Sequence, residues 1–114
     1  LEQNIPGYRS QTDWDLVTFQ NSSGQLVGAA AVRRLRPSYS VMIDFAMNSV
    51  GAGFGGMCFA ALMRCLHDQG VLHVTIDVPV GGATSAYLAR LGPSIQQKRT
   101  RSDHFEFFTG KWGR

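Results

Sequence analysis

Asn48-Ser49-Val50-Gly51-Ala52-Gly53-Phe54-Gly55-Gly56 carries no charged side chain and runs directly into Met57-Cys58-Phe59-Ala60-Ala61-Leu62-Met63-Arg64-Cys65. Phe54, Met57, Cys58, Ala61, Leu62 and Cys65 recur at the i, i+3, i+4, i+7 spacing of a buried helical face, which predicts a glycine loop and helix together spanning roughly residues 51–69. Gly51, Gly53, Gly55 and Gly56 then stand at its start. Each glycine in a helical turn costs about 1 kcal/mol relative to alanine, so their concentration calls for a compensating use. A helix N-terminus leaves backbone N–H groups unpaired and carries roughly half a positive charge, and glycine lets an anion come close to the main chain. The stretch reads as a cradle for a phosphate-bearing cofactor.

Working upstream, residues 14–20 are rich in aromatic and β-branched side chains, residues 21–24 (Asn-Ser-Ser-Gly) make a turn, and residues 25–35 supply a returning strand. Arg36-Pro37-Ser38 breaks that run. Residues 39–46 form a third strand, antiparallel to the second because the connection is short. Downstream, Gly70 stops the helix. In residues 71–80, Leu72, Val74, Ile76 and Val78 fall on one strand face and His73, Thr75 and Asp77 on the other. Gly81-Gly82 turns into a short helix over residues 83–91, closed by Gly92-Pro93, and residues 94–108 form one bent strand or a hairpin around Arg101-Ser102-Asp103. The order is β-β-β-α-β-α-β(β): an irregular lead-in over residues 1–13, then one domain over residues 14–114.

Composition agrees with a single globular domain: 114 residues, 44% hydrophobic and 17% charged. The net charge of +3 comes mostly from arginine, with Arg33, Arg34 and Arg36 in one cluster and Lys98, Arg99 and Arg101 in another. Solvated strand ends explain each cluster better than nucleic acid does, so nucleic acid is not an expected partner. Cys58 and Cys65 lie about 10 Å apart along a helix axis, too far for a disulfide, and read as core thiols of a reducing compartment. No Cys/His set has metal-ligand spacing, no apolar run reaches membrane-spanning length, and no secretory signal opens the chain. The expected location is cytoplasmic, with no metal and no membrane partner.

The order of elements and the residues at its corners resemble the GNAT superfamily of acyl-CoA-dependent N-acyltransferases. Members typically continue a polar turn as Leu-Val-Gly, here Leu26-Val27-Gly28, and show Arg or Gln, two residues, then Gly-x-Gly at the central helix, here Val50 followed by Gly53-Phe54-Gly55. Their Asn-x-x-Ala-x-x-Leu-Tyr-x-x-x-Gly-Phe run has a counterpart in residues 81–93, ending Leu91-Gly92-Pro93. The resemblance implies an α/β fold with a mixed, mostly antiparallel sheet and a central helix, binding acetyl-CoA or another acyl-CoA. It further implies pantetheine along Phe45, Ala46 and Met47, pyrophosphate on the loop of Val50, Gly51, Ala52, Gly53, Phe54, Gly55 and Gly56, and direct attack by a small-molecule or peptide amine.

Four departures accompany it. Val50 replaces Arg or Gln. The family's general-acid tyrosine aligns with Leu88, so Tyr87 is its neighbour, about 100° round the helix. Pro93 stands where an aromatic is usual. The family's first helical pair has no counterpart in the lead-in, so either a partner subunit, as in a homodimer, completes the site or the chain is a fragment or a reduced member.

Two other functions remain open. Gly51-x-Gly53-x-x-Gly56 also spells a dinucleotide (NAD or FAD) fingerprint, with Asp77 near the ribose-acid position, although the antiparallel start argues against it. A non-catalytic acyl-CoA-binding or regulatory module is the third. Among single residues, Asp44 is the first candidate for general base if burial raises its pKa, and Tyr87 is the second catalytic candidate. His73, Thr75 and Asp77 line either an acceptor groove or a plain sheet face. Phe105, Phe107 and Phe108 read as core or a dimer seam.

Overall fold

The structure is a computed structural model describing residues 2–4, 14–51 and 53–112; Ala52 and the rest of the lead-in lie outside the described residues. The alternating segments form strands β1 (Glu2–Asn4), β2 (Trp14–Gln20), β3 (Leu26–Arg34) and β4 (Ser40–Met47), and the glycine stretch leads into helix α1 (Gly55–Asp68). Strand β5 (His73–Pro79), helix α2 (Ala83–Arg90) and the hairpin β6 (Ile95–Lys98) and β7 (Ser102–Phe108) follow, with a 3-10 turn at Thr109–Lys111. The end of the chain is thus the hairpin rather than the bent strand. Part of the lead-in expected to be irregular is a strand, β1, paired with β2.

The sheet runs β1-β2-β3-β4-β5-β7-β6. Its parallel pair is β4 with β5, the pair that α1 connects, and the neighbours on both sides are antiparallel. A doubly wound dinucleotide fold needs successive parallel β-α units, and this sheet does not provide them.

Strand parity assigns the two faces. Val32, Ile43, Ile76 and Phe105 sit side by side in the ladders and are buried with Phe59, Leu62 and Leu66 of α1 and Leu88 of α2 in one core. Both helices therefore cover the same face. The opposite face, with Ala31, Asp44, Thr75, Asp77, His104 and Glu106, has no described helix over it.

Two expectations about α1 are corrected. It begins at Gly55, so that of the four glycines only Gly55 and Gly56 are helical, and its buried stripe is Cys58, Phe59, Ala61, Leu62, Met63 and Leu66, of which Cys58, Ala61 and Leu62 were expected. Phe54 and Met57 are exposed. With Gly51 and Gly53 in the loop, the helix is rotated by part of a turn relative to a pattern begun at Phe54, which brings Phe59 and Met63 inward. Leu72, expected on one strand face with Val74, Ile76 and Val78, precedes the strand and is exposed.

Candidate functional site

The site begins with a failure of pairing. β4 and β5 stay in register from Ser40↔His73 to Ile43↔Ile76 and then part. Beyond that point residues 44–47 remain tied to β3, and residues 77–79 to β7. Each strand is held by its outer neighbour, so the inner edges face a wedge-shaped gap. The start of α1 stands beside it, because the chain leaves β4 at Met47 and enters the helix within eight residues.

Asn48 shapes the connection. Its backbone N–H donates to Val27 O at 3.0 Å, its side-chain amide donates to Leu26 O at 2.7 Å, and its Oδ1 accepts from Gly51 N–H at 2.9 Å. The loop is thereby pinned to β3. Gly51 packs so tightly that a β-carbon there would collide with the Val27 carbonyl oxygen. Gly53 has φ +89, a left-handed conformation that favours glycine.

The free donors are consequently fewer than the sequence suggests. The Gly51 amide is taken by Asn48, and the Phe54 amide by Gly51 O at 2.9 Å. No described residue accepts from the amides of Gly53, Gly55 or Gly56, and α1 has neither a side-chain N-cap nor an acidic residue in its first turn. An uncapped N-terminus facing a cleft is a ready place for an anion.

That cleft, about 530 Å³, is lined by Phe45, Met47, Asn48, Gly51, Gly53, Gly55, Gly56 and, from the facing helix, Ala83, Thr84, Tyr87 and Arg90. Tyr87 is held there because α2 is anchored on either side of it: Ser85 Oγ donates to Asp103 Oδ2 at 2.6 Å, and Leu88 is fully buried. The Tyr87 hydroxyl is itself buried and has no hydrogen-bond partner among the described residues. Burial pushes its pKa up, the Arg90 charge partly offsets this, and Cys58 adds a smaller rise, so the phenol stays protonated. The Arg90 guanidinium lies 5.9 Å from the Tyr87 ring centroid, and no described acid pairs with it.

On the open face the same gap forms a groove of about 280 Å³, whose walls include Leu16, Ala29, Ala31, Asp44, Ala46 and Asp77. Phe45 lines both the cleft and the groove.

The expected residues thus divide. Phe45, Met47, Gly51, Gly53, Gly55, Gly56 and Tyr87 meet at the cleft. Ala46 faces the groove, because adjacent strand residues point to opposite faces. Val50 is exposed and does not line the cleft, and Phe54 lines a separate apolar groove with Met57, Cys58 and Val27. Asp44 is exposed rather than buried and has no partner among the described residues, which removes the burial argument made for it. Asn48 and Arg90 were not singled out from the sequence. An Asn opening a glycine loop is an available turn signal, and Arg90 lies three residues after Tyr87, on the same side of the short helix.

No protein-family model and no curated protein matches the sequence. Solved structures do match. A chimera of the spermidine N-acetyltransferase SpeG from Vibrio cholerae with hSSAT gives a TM-score of 0.72 at 10% identity, covering 88% of this chain and 69% of that chain. A Klebsiella pneumoniae protein named as an acyl-CoA N-acyltransferase gives 0.68 at 12% identity over 85% and 73% of the two chains. A GNAT-family acetyltransferase from Staphylococcus aureus gives 0.67 at 8% identity over 86% and 69%. With the parted parallel strands and the glycine-led central helix already in place, these likenesses establish that the chain has the fold of the GNAT N-acyltransferases.

Proposed function

We propose that the chain is an acyl-CoA-dependent N-acyltransferase that uses acetyl-CoA or a close relative. The observation that carries this reading is the conjunction at the cleft: an uncapped glycine helix start, parted strands, and a buried hydroxyl with no partner among the described residues. These features fit the cofactor. A phosphate satisfies the Gly53, Gly55 and Gly56 amides, an extended amide-bearing arm offers hydrogen bonds to the unpaired edge of β4 at Phe45 and Met47, and Tyr87 has a proton to give. Arg90 supplies from α2 the positive charge that Val50 does not supply from the loop.

When bound, the acyl-CoA provides an activated thioester. The net reaction joins a neutral primary amine to the acyl carbon and releases a free thiol, so one N–H proton must leave the nitrogen and one proton must reach the sulfur. Tyr87 is the group on the sulfur side, and its raised pKa keeps the phenol protonated. The acceptor approaches from the groove on the open face. A small cationic amine is the preferred class, since Asp44 and Asp77 line that groove. The spermidine acetyltransferases among the structural neighbours favour the same class.

The test is thermal unfolding with acetyl-CoA, CoA, NAD and FAD, followed by free-thiol release from acetyl-CoA with spermidine and simple primary amines. Stabilisation by acetyl-CoA and CoA with thiol release is expected. Stabilisation by NAD or FAD alone sinks the reading, and stabilisation by acetyl-CoA without thiol release from any amine identifies a silent binder.

A further inference from the structure

The open face carries a connected set of titratable side chains that the cofactor cleft does not use. His73 Nε2 lies 2.8 Å from Glu106 Oε1, His104 Nε2 lies 2.8 Å from Glu106 Oε2, and His104 Nδ1 lies 2.7 Å from Asp77 Oδ1. The chain follows from register: His73 and Asp77 stand on β5 opposite Phe108 and His104 of β7, and Glu106 stands opposite Thr75 between them. It ends at Asp77, the first residue of β5 beyond the last β4–β5 pair, on the wall of the groove.

Building on the acyltransfer reading, we infer that Asp77 is the catalytic group that takes the N–H proton of the acceptor amine, and that His104 is the positioning residue that aims it. Asp44, the first residue of β4 beyond the same pair, is the competing carboxylate, and the two differ in how they are held. Asp44 is exposed and unpartnered among the described residues. Asp77 is two-thirds buried, with Oδ1 fixed by His104 and flanked by Arg99 NH1 at 3.7 Å. Oδ2 has no partner among the described residues. His104, at 8% side-chain exposure, faces a carboxylate oxygen with each ring nitrogen, so it cannot turn without losing one of them. A base fixed in this way meets the geometric demand of proton transfer better than a freely rotating one.

The step balances. As the amine nitrogen shares its lone pair with the acyl carbon, its N–H becomes acidic enough for a carboxylate. The N–H bond breaks, its electron pair stays on nitrogen, and the proton forms an O–H bond at Asp77 Oδ2. The C–S bond breaks with its pair on sulfur, which takes a proton from Tyr87. Asp77 releases a proton to water, and Tyr87 regains one.

The test compares Asp77→Asn, Asp44→Asn and His104→Gln for acetyl-CoA thermal stabilisation, free-thiol release with spermidine and n-butylamine across pH, and imidazole 1H–15N NMR. Asp77→Asn should lower kcat on the order of 100-fold, with acetyl-CoA stabilisation unchanged and the His104 ring signals shifted while those of His67 stay. His104→Gln should lower kcat about tenfold at unchanged KM for acetyl-CoA, with an altered pH profile. Asp44→Asn should raise the KM for the amine, because Asp44 lines the groove, and leave kcat nearly unchanged. Wild-type turnover and pH profile in Asp77→Asn, or loss of turnover in Asp44→Asn instead, overturns the assignment. An unshifted His104 signal in Asp77→Asn overturns it even if that variant is inactive. Acetyl-CoA binding without any amine turnover in the wild type removes the base role as well, whereas absence of acetyl-CoA binding removes the reading beneath it.

Discussion

Gly56 and the Tyr87 hydroxyl compete for one space: a β-carbon built on Gly56 would stand 2.9 Å from Tyr87 Oη. Gly56→Ala should therefore keep the fold, since alanine gains about 1 kcal/mol of helix propensity, while pushing the phenol out of place. Tyr87→Phe removes a buried hydroxyl that has no partner among the described residues, so it should leave stability unchanged or raise it by up to about 1 kcal/mol. Each should lower turnover by at least about tenfold, and the double variant should lose little more than either alone. Melting curves and thiol-release rates on the four proteins check this.

Gly51 and Gly55 separate a glycine that the fold needs from one that the proposed cofactor needs. Gly51→Ala drives a methyl into the Val27 carbonyl and should destabilise the protein whether or not cofactor is present. At Gly55 the added carbon meets only Met47 Cγ at 3.7 Å, an ordinary contact. Gly55→Ala should melt at or above the wild-type temperature yet bind acetyl-CoA at least about tenfold more weakly, because the methyl stands beside amides that have no acceptor among the described residues. Calorimetric titration with acetyl-CoA measures the second effect independently of the first.

Arg90 separates charge from shape in the cleft. Arg90→Ala should weaken CoA about tenfold at low salt, with the deficit shrinking as salt rises, while pantetheine, which lacks the phosphates, should bind equally well to both proteins. The Arg90 charge also lowers the Tyr87 pKa, so its removal should move the alkaline limb of the pH–rate profile upward. Equal CoA affinity in variant and wild type would remove Arg90 from the phosphate site.

The order of elements was legible because each segment advertises its own period: Trp14–Gln20 was bounded to the residue, and Ala83–Arg90 to within one. The α1 stripe was legible at Cys58, Ala61 and Leu62 but not at Phe54 and Met57, because periodicity fixes spacing but not phase. The loop conformation at Gly51 and Gly53 sets that phase, through Asn48 and a positive φ. Asp44 was misjudged for a related reason. An apolar strand next to a helix does not reveal that both helices lie on the other face. The link between His104 and Asp77 depends on the β5–β7 register, which two residues 27 apart in sequence cannot announce. Tyr87 was placed by alignment about 100° from the useful direction, yet α2, set by Ser85 and Leu88, turns it into the cleft.

Glu106 offers a test of the open-face chain that needs no ligand. The His104 hydrogen bond is the main cause that holds its carboxyl below the ordinary value of 4.5; burial opposes this, and His73 assists through its own hydrogen bond and charge. A carboxyl whose folded pKa is lowered stabilises the fold above its unfolded value and loses that contribution as pH falls through the folded value. Glu106→Gln should therefore be less stable than wild type at neutral pH, by about 1–2 kcal/mol given its partial exposure. The gap should close as acid protonates the wild-type carboxyl below pH 4.5. Urea unfolding of both proteins from neutral to acidic pH reads the difference directly; a gap constant with pH would mean that the carboxylate is not held by the two histidines.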